Sequence, residues 1–296
     1  EGRTASAAIG RLAQLSSWQE AQRNAMFAPF AIALLWNVHF AYAMESWRAR
    51  YGGRVSTWLK SIGEFEALCS LSTYAYEHPD DVFPDVVEDG PTFHAEEIGH
   101  LLLPGDTCVR NSIGLDQSKC LLMVSGSNMS GKSTLLRTVG VNAVLALCGS
   151  PVRAKALRIS PMQIGASMHI VDSIQRGTSH FYAEILRLRD ILDATRGPMP
   201  VLFLVDEILH GTNSHDRSIG SHAVLQSFIE AGAVGLVTTH DLALTKIVSE
   251  LGNRAANVHF VDHLENGKLV FDYKMQPGVV ERSNALALMR SIGLDV

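Results

Sequence analysis

The run Gly126-Ser127-Asn128-Met129-Ser130-Gly131-Lys132-Ser133 limits what this chain can fold into more than any other segment. It fits G-x-x-x-x-G-K-[ST], follows an apolar run over 120–124, and precedes a helical pattern over 132–147. Strand, glycine-rich turn and helix in that order are the context a phosphate-binding loop requires. Glycines let the backbone curl until several N–H groups face one anion, and the following helix adds its positive end. The spacing predicts that Gly126, Ser127, Asn128, Met129, Ser130, Gly131, Lys132, Ser133 and Thr134 hold a nucleotide. Lys132 would reach the outer phosphates and the Ser133 hydroxyl would ligate Mg2+. A glycine-rich structural turn is the plainer alternative.

Such a site needs carboxylates near the phosphates. Residues 201–205 form a continuous apolar run that ends in Asp206-Glu207. Charges in mid-strand are costly to desolvate, whereas at a strand tip beside a phosphate loop they have a role. Asp206 is expected to hold magnesium, often through water, in the Walker-B position, and Glu207 to polarise an attacking water. Capping of the next turn is the structural alternative. A third strand pattern, Val237-Thr238-Thr239, ends in His240, which can sense a terminal phosphate or be an ordinary polar residue.

From Val82 onward strand and helix patterns alternate, and several strands are short apolar runs. That implies an α/β fold with a mostly parallel central sheet buried on both faces. Strands are expected over 107–109, 121–124, 201–205, 234–238 and 258–261, and helices over 132–147, 181–195, 219–230 and 242–251. Asn266-Gly267 between the alternating runs 260–264 and 268–273 reads as a hairpin turn. Residues 1 to about 78 read as helices, interrupted at Gly52-Gly53 and closed by the turn-forming His78-Pro79-Asp80-Asp81. The expected organisation is an all-helical segment over 1–80 and an α/β domain over 81–296.

Composition narrows the function classes. Net charge is −5 and no long basic run occurs, so any nucleic-acid contact needs a local patch or parts outside this sequence. Arg48, Arg50, Arg54 and Lys60 could supply such a patch or form a solvated helix face. Cys69, Cys108, Cys120 and Cys148 are too dispersed for a C-x-x-C pair and read as reduced, buried thiols of a cytoplasmic protein. The apolar stretch 25–44 is nearly long enough to cross a bilayer. Pro29, Asn37 and His39 interrupt it, and Trp36, Phe40 and Trp47 recur at helical spacing, which favours a buried core helix. The sequence opens on Glu1 with no signal-peptide pattern and reads as a piece of something longer.

A phosphate loop, an Asp-Glu strand tip and a strand-tip His are the arrangement of ABC-type ATPases, whose L-S-G-G-Q signature is absent. In its place stand Gly165-Ala166-Ser167 and then Arg176-Gly177-Thr178-Ser179-His180-Phe181-Tyr182-Ala183-Glu184. This resembles the MutS family of DNA mismatch-repair ATPases, in which G-A-x-D precedes R-G-x-S-T-F-x-x-E. Asn128-Met129 sits where that family has P-N-M, and Leu135-Leu136-Arg137 follows Ser133-Thr134 as it does there. Gly211-Thr212-Asn213-Ser214-His215-Asp216 is similar to G-T-S-T-x-D. Tyr273-Lys274-Met275-Gln276-Pro277-Gly278, with Ser283 and Gly293-Leu294, looks like the closing segment. These motifs cover most of 82–296. Glu64-Phe65-Glu66-Ala67-Leu68-Cys69-Ser70-Leu71 more loosely resembles the end of the family's core helical domain.

The resemblance implies an ABC-type P-loop NTPase that uses ATP and Mg2+. It implies a homodimer with composite ATP sites, in which Ser179 reaches the terminal phosphate on the partner subunit and Asn213 lies near the interface. ATP would close the dimer, hydrolysis would open it, and the full-length protein would clamp DNA without membrane contact. Ser179 also fits as a helix N-cap, and both roles can hold together. The sequence departs from the pattern at four places: His180 for Thr, Met168 near an expected acid, Ser127 for Pro, and Cys108 where an aromatic stacks on adenine. Adenine packing is then weaker, or supplied by another side chain. Nothing resembles the family's mismatch-reading domain or its Phe-x-Glu wedge. Two further function classes stay open: an ATP-gated scaffold with little hydrolysis, and a membrane-associated ABC-type motor.

Overall fold

The computed structural model describes residues 4–20, 28–168, 180–265 and 268–280. The chain divides into two units, Glu1–Thr73 and Tyr74–Val296. In the first, α1 (Ala5–Glu20) lies antiparallel to the early part of α3 (Trp36–Glu77), with α2 (Ala28–Ala33) between them in sequence. Indole N–H groups need partners once the ring is packed, and backbone carbonyls supply them. Trp47 donates to Ala8 at 2.7 Å and Trp36 donates to Trp18 at 3.0 Å, while Trp18 meets Phe40 edge-on. Ala8, Leu15, Phe40 and Tyr51 are buried there.

Two expectations for this unit fail. Gly52-Gly53 does not interrupt α3, which runs for 42 residues. An exposed helical glycine costs only about 1 kcal/mol against alanine, too little to break a long helix. The described part of the stretch 25–44, residues 28–44, is not a buried core helix: Leu35 at φ 48° separates α2 from α3, and Ile32 and Tyr42 are 78% and 75% exposed. Helical spacing shows that residues share a face and is silent on whether anything covers it. Among the described residues no helix is long and apolar enough to cross a membrane.

Among the described residues the second unit is a mixed α/β structure with two sheets. The smaller has the order β1-β5-β2-β3, from Asp85–Val86, Ala156–Ile159, Phe93–Ile98 and Asn111–Leu115. The larger has the order β10-β9-β4-β8-β7-β6. Its strands are Lys268–Pro277, Ala255–Glu265, Leu121–Ser125, Val234–Thr239, Val201–Val205 and Gln163–Ser167. β9, β4, β8, β7 and β6 pair parallel, and β10 pairs antiparallel with β9. Every residue of β4, β7 and β8 is buried, which explains why they are apolar up to the hydroxyls of Ser125, Thr238 and Thr239 at their tips. Gly235 in β8 is required sterically, because a Cβ there would lie 2.0 Å from the Phe203 carbonyl oxygen. Helices α4 (Lys132–Leu147), α5 (His180–Ala194), α6 (Ser214–Glu230) and α7 (Ile247–Leu251) connect these strands.

Several boundaries differ from expectation. Residues 107–109 are not a strand; the chain turns there and pairs only from Asn111. The segment 242–251 is helical in pieces, a 3-10 turn at Leu244–Lys246 followed by α7. α6 starts at Ser214, because the Asn213 side chain accepts from the Asp216 amide and caps it. Of the four thiols only Cys120 is fully buried, while Cys69 and Cys148 are exposed, which corrects the reading of all four as interior.

Register places the site. Val124 pairs with Thr238 and Ser125 with Thr239, while Val205 pairs with Val237. The carboxyl ends of β4, β8 and β7 therefore open onto one crevice, the place where open parallel sheets bind ligands.

Candidate functional site

The loop after β4 carries Gly126 at φ 151°, Met129 at φ 68° and Gly131 at φ 104°. A Cβ on Gly126 would meet Ser130 Oγ at 2.8 Å, so this tight curl needs glycine. Lys132, the first residue of α4, is 4% exposed. A buried ammonium must be paired. Its Nζ donates to the Gly126 and Ser127 carbonyls, both at 2.9 Å, and lies 3.5 Å from Glu207 Oε1. The Ser127 and Ser130 hydroxyl oxygens are buried there without a hydrogen-bond partner. Buried polar atoms without a partner, next to the Lys132 ammonium, suit an anion.

The tip of β7 faces this loop. Asp206 Oδ1 accepts from Ser133 Oγ at 3.0 Å and from Thr238 Oγ1 at 2.6 Å. Thr238 Oγ1 in turn accepts from the Glu207 amide at 2.8 Å. Glu207 has φ 52°, a left-handed conformation that sets its carboxylate between two partners. Oε1 faces Lys132, and Oε2 is 2.5 Å from His240 Nδ1. The His240 ring packs on His210, with centroids 4.8 Å apart. Ser133 Oγ and the Asp206 carboxylate form a pair of hard oxygen donors. That donor set fits Mg2+, which takes one or two protein oxygens and fills its octahedron with phosphate oxygens and water.

Beside the loop lies a cavity of about 500 Å³, lined by His100, Val109, Thr134, Leu135, Phe260 and Tyr273 among others. Tyr273 sits where the β9–β10 register shifts, at φ 53°, a bulge that re-aims its side chain. Its ring lies against Gly131, where an added Cβ would be 3.2 Å from Cδ1. Asn111 holds that bulge from both sides: Nδ2 donates to the Tyr273 carbonyl at 3.1 Å and Oδ1 accepts from the Met275 amide at 2.8 Å. Burial, with smaller contributions from the Arg137 and Arg153 charges, pushes the His100 pKa down, and its Nδ1 accepts from the Leu102 amide at 3.2 Å. Cys108 turns its sulfur toward the His100 carbonyl and does not line the cavity. The rings that line it are those of Tyr273, Phe260 and His100.

Lys132, Ser133, Asp206, Glu207 and His240 thus converge from three strand tips, while Asn128 and Met129 lie exposed at the outer rim of the loop. Ser179 lies outside the described residues, as do Arg176, Gly177, Thr178, Ser283, Gly293 and Leu294. Met168 packs half-buried on the core. Arg48 pairs with Glu45 at 2.6 Å and Lys60 lies 3.9 Å from Glu64, both within α3. Sequence reasoning passed over Thr238 and Asn111. Thr238 could have been found as a hydroxyl in a strand otherwise wholly apolar up to that point. Asn111 left no local signal, because its partners are more than 160 residues away in sequence.

A family model described as MutS domain V matches residues 122–295. The chain is 34% identical over 203 residues to Endonuclease MutS2 of Thermus thermophilus, covering 66% of this chain and 25% of that protein. It is 31% identical over 247 residues to DNA mismatch repair protein MutS of Natronomonas pharaonis, covering 81% and 28%. Over 255 residues it is 30% identical to DNA mismatch repair protein MutS of Geobacillus thermodenitrificans, covering 83% and 27%. The chain spans about a quarter of the length of these relatives.

Proposed function

Because the chain belongs to the MutS family, we propose that residues 81–296 are an ABC-type P-loop ATPase domain that hydrolyses ATP. Residues 1–80 would then be the end of the helical lever that couples it to DNA. The observation that carries this reading is the joint approach of Ser133 to Asp206 at 3.0 Å and of Lys132 to Glu207 at 3.5 Å. Ser133 and Asp206 would hold Mg2+, which neutralises charge on the outer phosphates. The loop amides and Lys132 bind the phosphates, and the cavity under Tyr273 takes the base. Glu207 orients the attacking water and takes its proton as the bond to the ADP oxygen breaks, and His240 fixes the Glu207 carboxylate.

The family supports a dimer with composite sites, in which Ser179 would act on the partner subunit's nucleotide and ATP-driven closure would be coupled to DNA clamping. The membrane-motor alternative finds no support. The test is steady-state phosphate release by the whole chain with MgATP. Glu207→Gln is expected to keep ATP binding and stall turnover, and Lys132→Ala to lose both. Wild-type turnover equal to that of Lys132→Ala would favour the ATP-gated scaffold instead.

A further inference from the structure

We propose that Arg217 is a positioning residue for the Glu207–His240 pair, clamping the loop after β7 to the tip of β8. The proposal rests on the hydrolytic reading above. Arg217 lies in the first turn of α6, where the helix dipole disfavours a cation, so its place there must come from what it touches. Its guanidinium reaches backwards. Nε donates to the Leu209 carbonyl at 3.2 Å, and Nη2 donates to the His210 and Thr212 carbonyls at 3.2 and 3.0 Å. Nη1 reaches Asp241 Oδ2 at 3.4 Å. The two side chains are 14% and 22% exposed, so water screens the pair only partly.

Both ends of this clamp lie next to the reacting groups. Leu209 and His210 follow Glu207 by two and three positions, and Asp241 follows His240 directly. The loop needs an external hold, since Glu207 and Leu209 both adopt φ 52° without being glycine. Leu209 receives a second anchor from α5, its amide donating to Glu184 Oε1 at 2.6 Å. Asp241 is itself fixed, its amide donating to Thr239 Oγ1 at 3.0 Å and its Oδ1 accepting from the Ala243 amide at 2.9 Å. Only a planar fork with several N–H donors can bond three carbonyls and a carboxylate together, so lysine is a poor replacement. Arg217 touches neither the phosphate loop nor the cavity beneath Tyr273. Its effect should fall on turnover and spare binding.

The test measures kcat and KM for phosphate release, and ATP affinity by titration with a fluorescent ATP analogue, for the whole chain. Arg217→Met is expected to lower kcat at least tenfold with binding changed less than threefold. Arg217→Lys should recover part of the loss, and Asp241→Asn should lower kcat in the same way. Adding Asp241→Asn to Arg217→Met should cost little more, since both break one clamp. If Arg217→Met fails to fold, Arg217→Lys and Asp241→Asn decide by the same split between kcat and binding. Turnover within threefold of wild type, equal losses in binding and turnover, or full recovery with lysine overturns the proposal. Wild-type turnover no faster than that of Lys132→Ala overturns the hydrolytic reading itself, a result distinct from any of these.

Discussion

Replacing Tyr273 with alanine should weaken ATP binding by at least about tenfold. The ring lies against Gly131 and forms one wall of a cavity of about 500 Å³ next to the phosphate loop. Stacking of a base on an aromatic side chain is worth about 1–3 kcal/mol by alanine substitution. At roughly 1.4 kcal/mol per decade that is about 5- to 150-fold in Kd. Cys108 does not line the cavity and the Phe260 ring beneath it is buried, so Tyr273 offers the accessible face and the loss should lie above the lower end of that range. Equilibrium dialysis of labelled ATP against the whole chain measures it, with the melting temperature as a control for folding. Tyr273→Phe keeps the ring and should bind within twofold of wild type. Asn111→Leu frees the bulge that aims the ring and should weaken binding in the same direction, by less. An alanine variant that binds within twofold of wild type, or a phenylalanine variant as weak as alanine, would refute the assignment of the base to this cavity.

Thr238→Val removes a donor to Asp206 and the acceptor of the Glu207 amide at once. Turnover should fall about 10- to 100-fold, somewhat below the loss of a direct transition-state donor. Stability should drop by about 1–3 kcal/mol for the stranded amide, read by urea unfolding; unchanged turnover would remove Thr238 from the site. Asp116 is held down to a pKa of about 2, chiefly by the Ser118 hydroxyl and also by the Lys119 and Ser118 amides and His94. Its folded pKa is below the ordinary value of 3.8, so its contribution is present above that value and is lost as pH falls toward 2. Unfolding measured across that window should show a steeper acid loss for wild type than for Asp116→Asn; equal slopes would contradict the assignment.

The phosphate loop, the acidic strand tip and the histidine were legible because each depends on residues adjacent in sequence. A glycine-rich turn between an apolar strand and a helix has few physical readings. The strands β4, β7 and β8 were legible for the same reason, being apolar runs up to their carboxyl tips. The second sheet was not: β2 and β5 alternate buried and exposed residues over short lengths and carry charges. The wall of the cavity was invisible because it is built from β3, β10 and the phosphate loop, joined by Asn111 across the sequence. Arg217 was invisible because a basic residue on a helix usually faces water, and only the fold shows its guanidinium turned back on the loop. In α3 the apolar spacing marked a face correctly, yet Phe65 and Leu68 on it are exposed, since pattern alone does not supply a partner.

In the proposed site Ser133 and Asp206 act together on one metal beside the phosphates. ATP affinity of the whole chain, titrated with Mg2+ and again with excess EDTA, tests it directly when compared between wild type and Asp206→Asn. Mg2+ is expected to strengthen wild-type binding at least tenfold and to change the variant by less than threefold. A variant that keeps the full magnesium-dependent gain would contradict it.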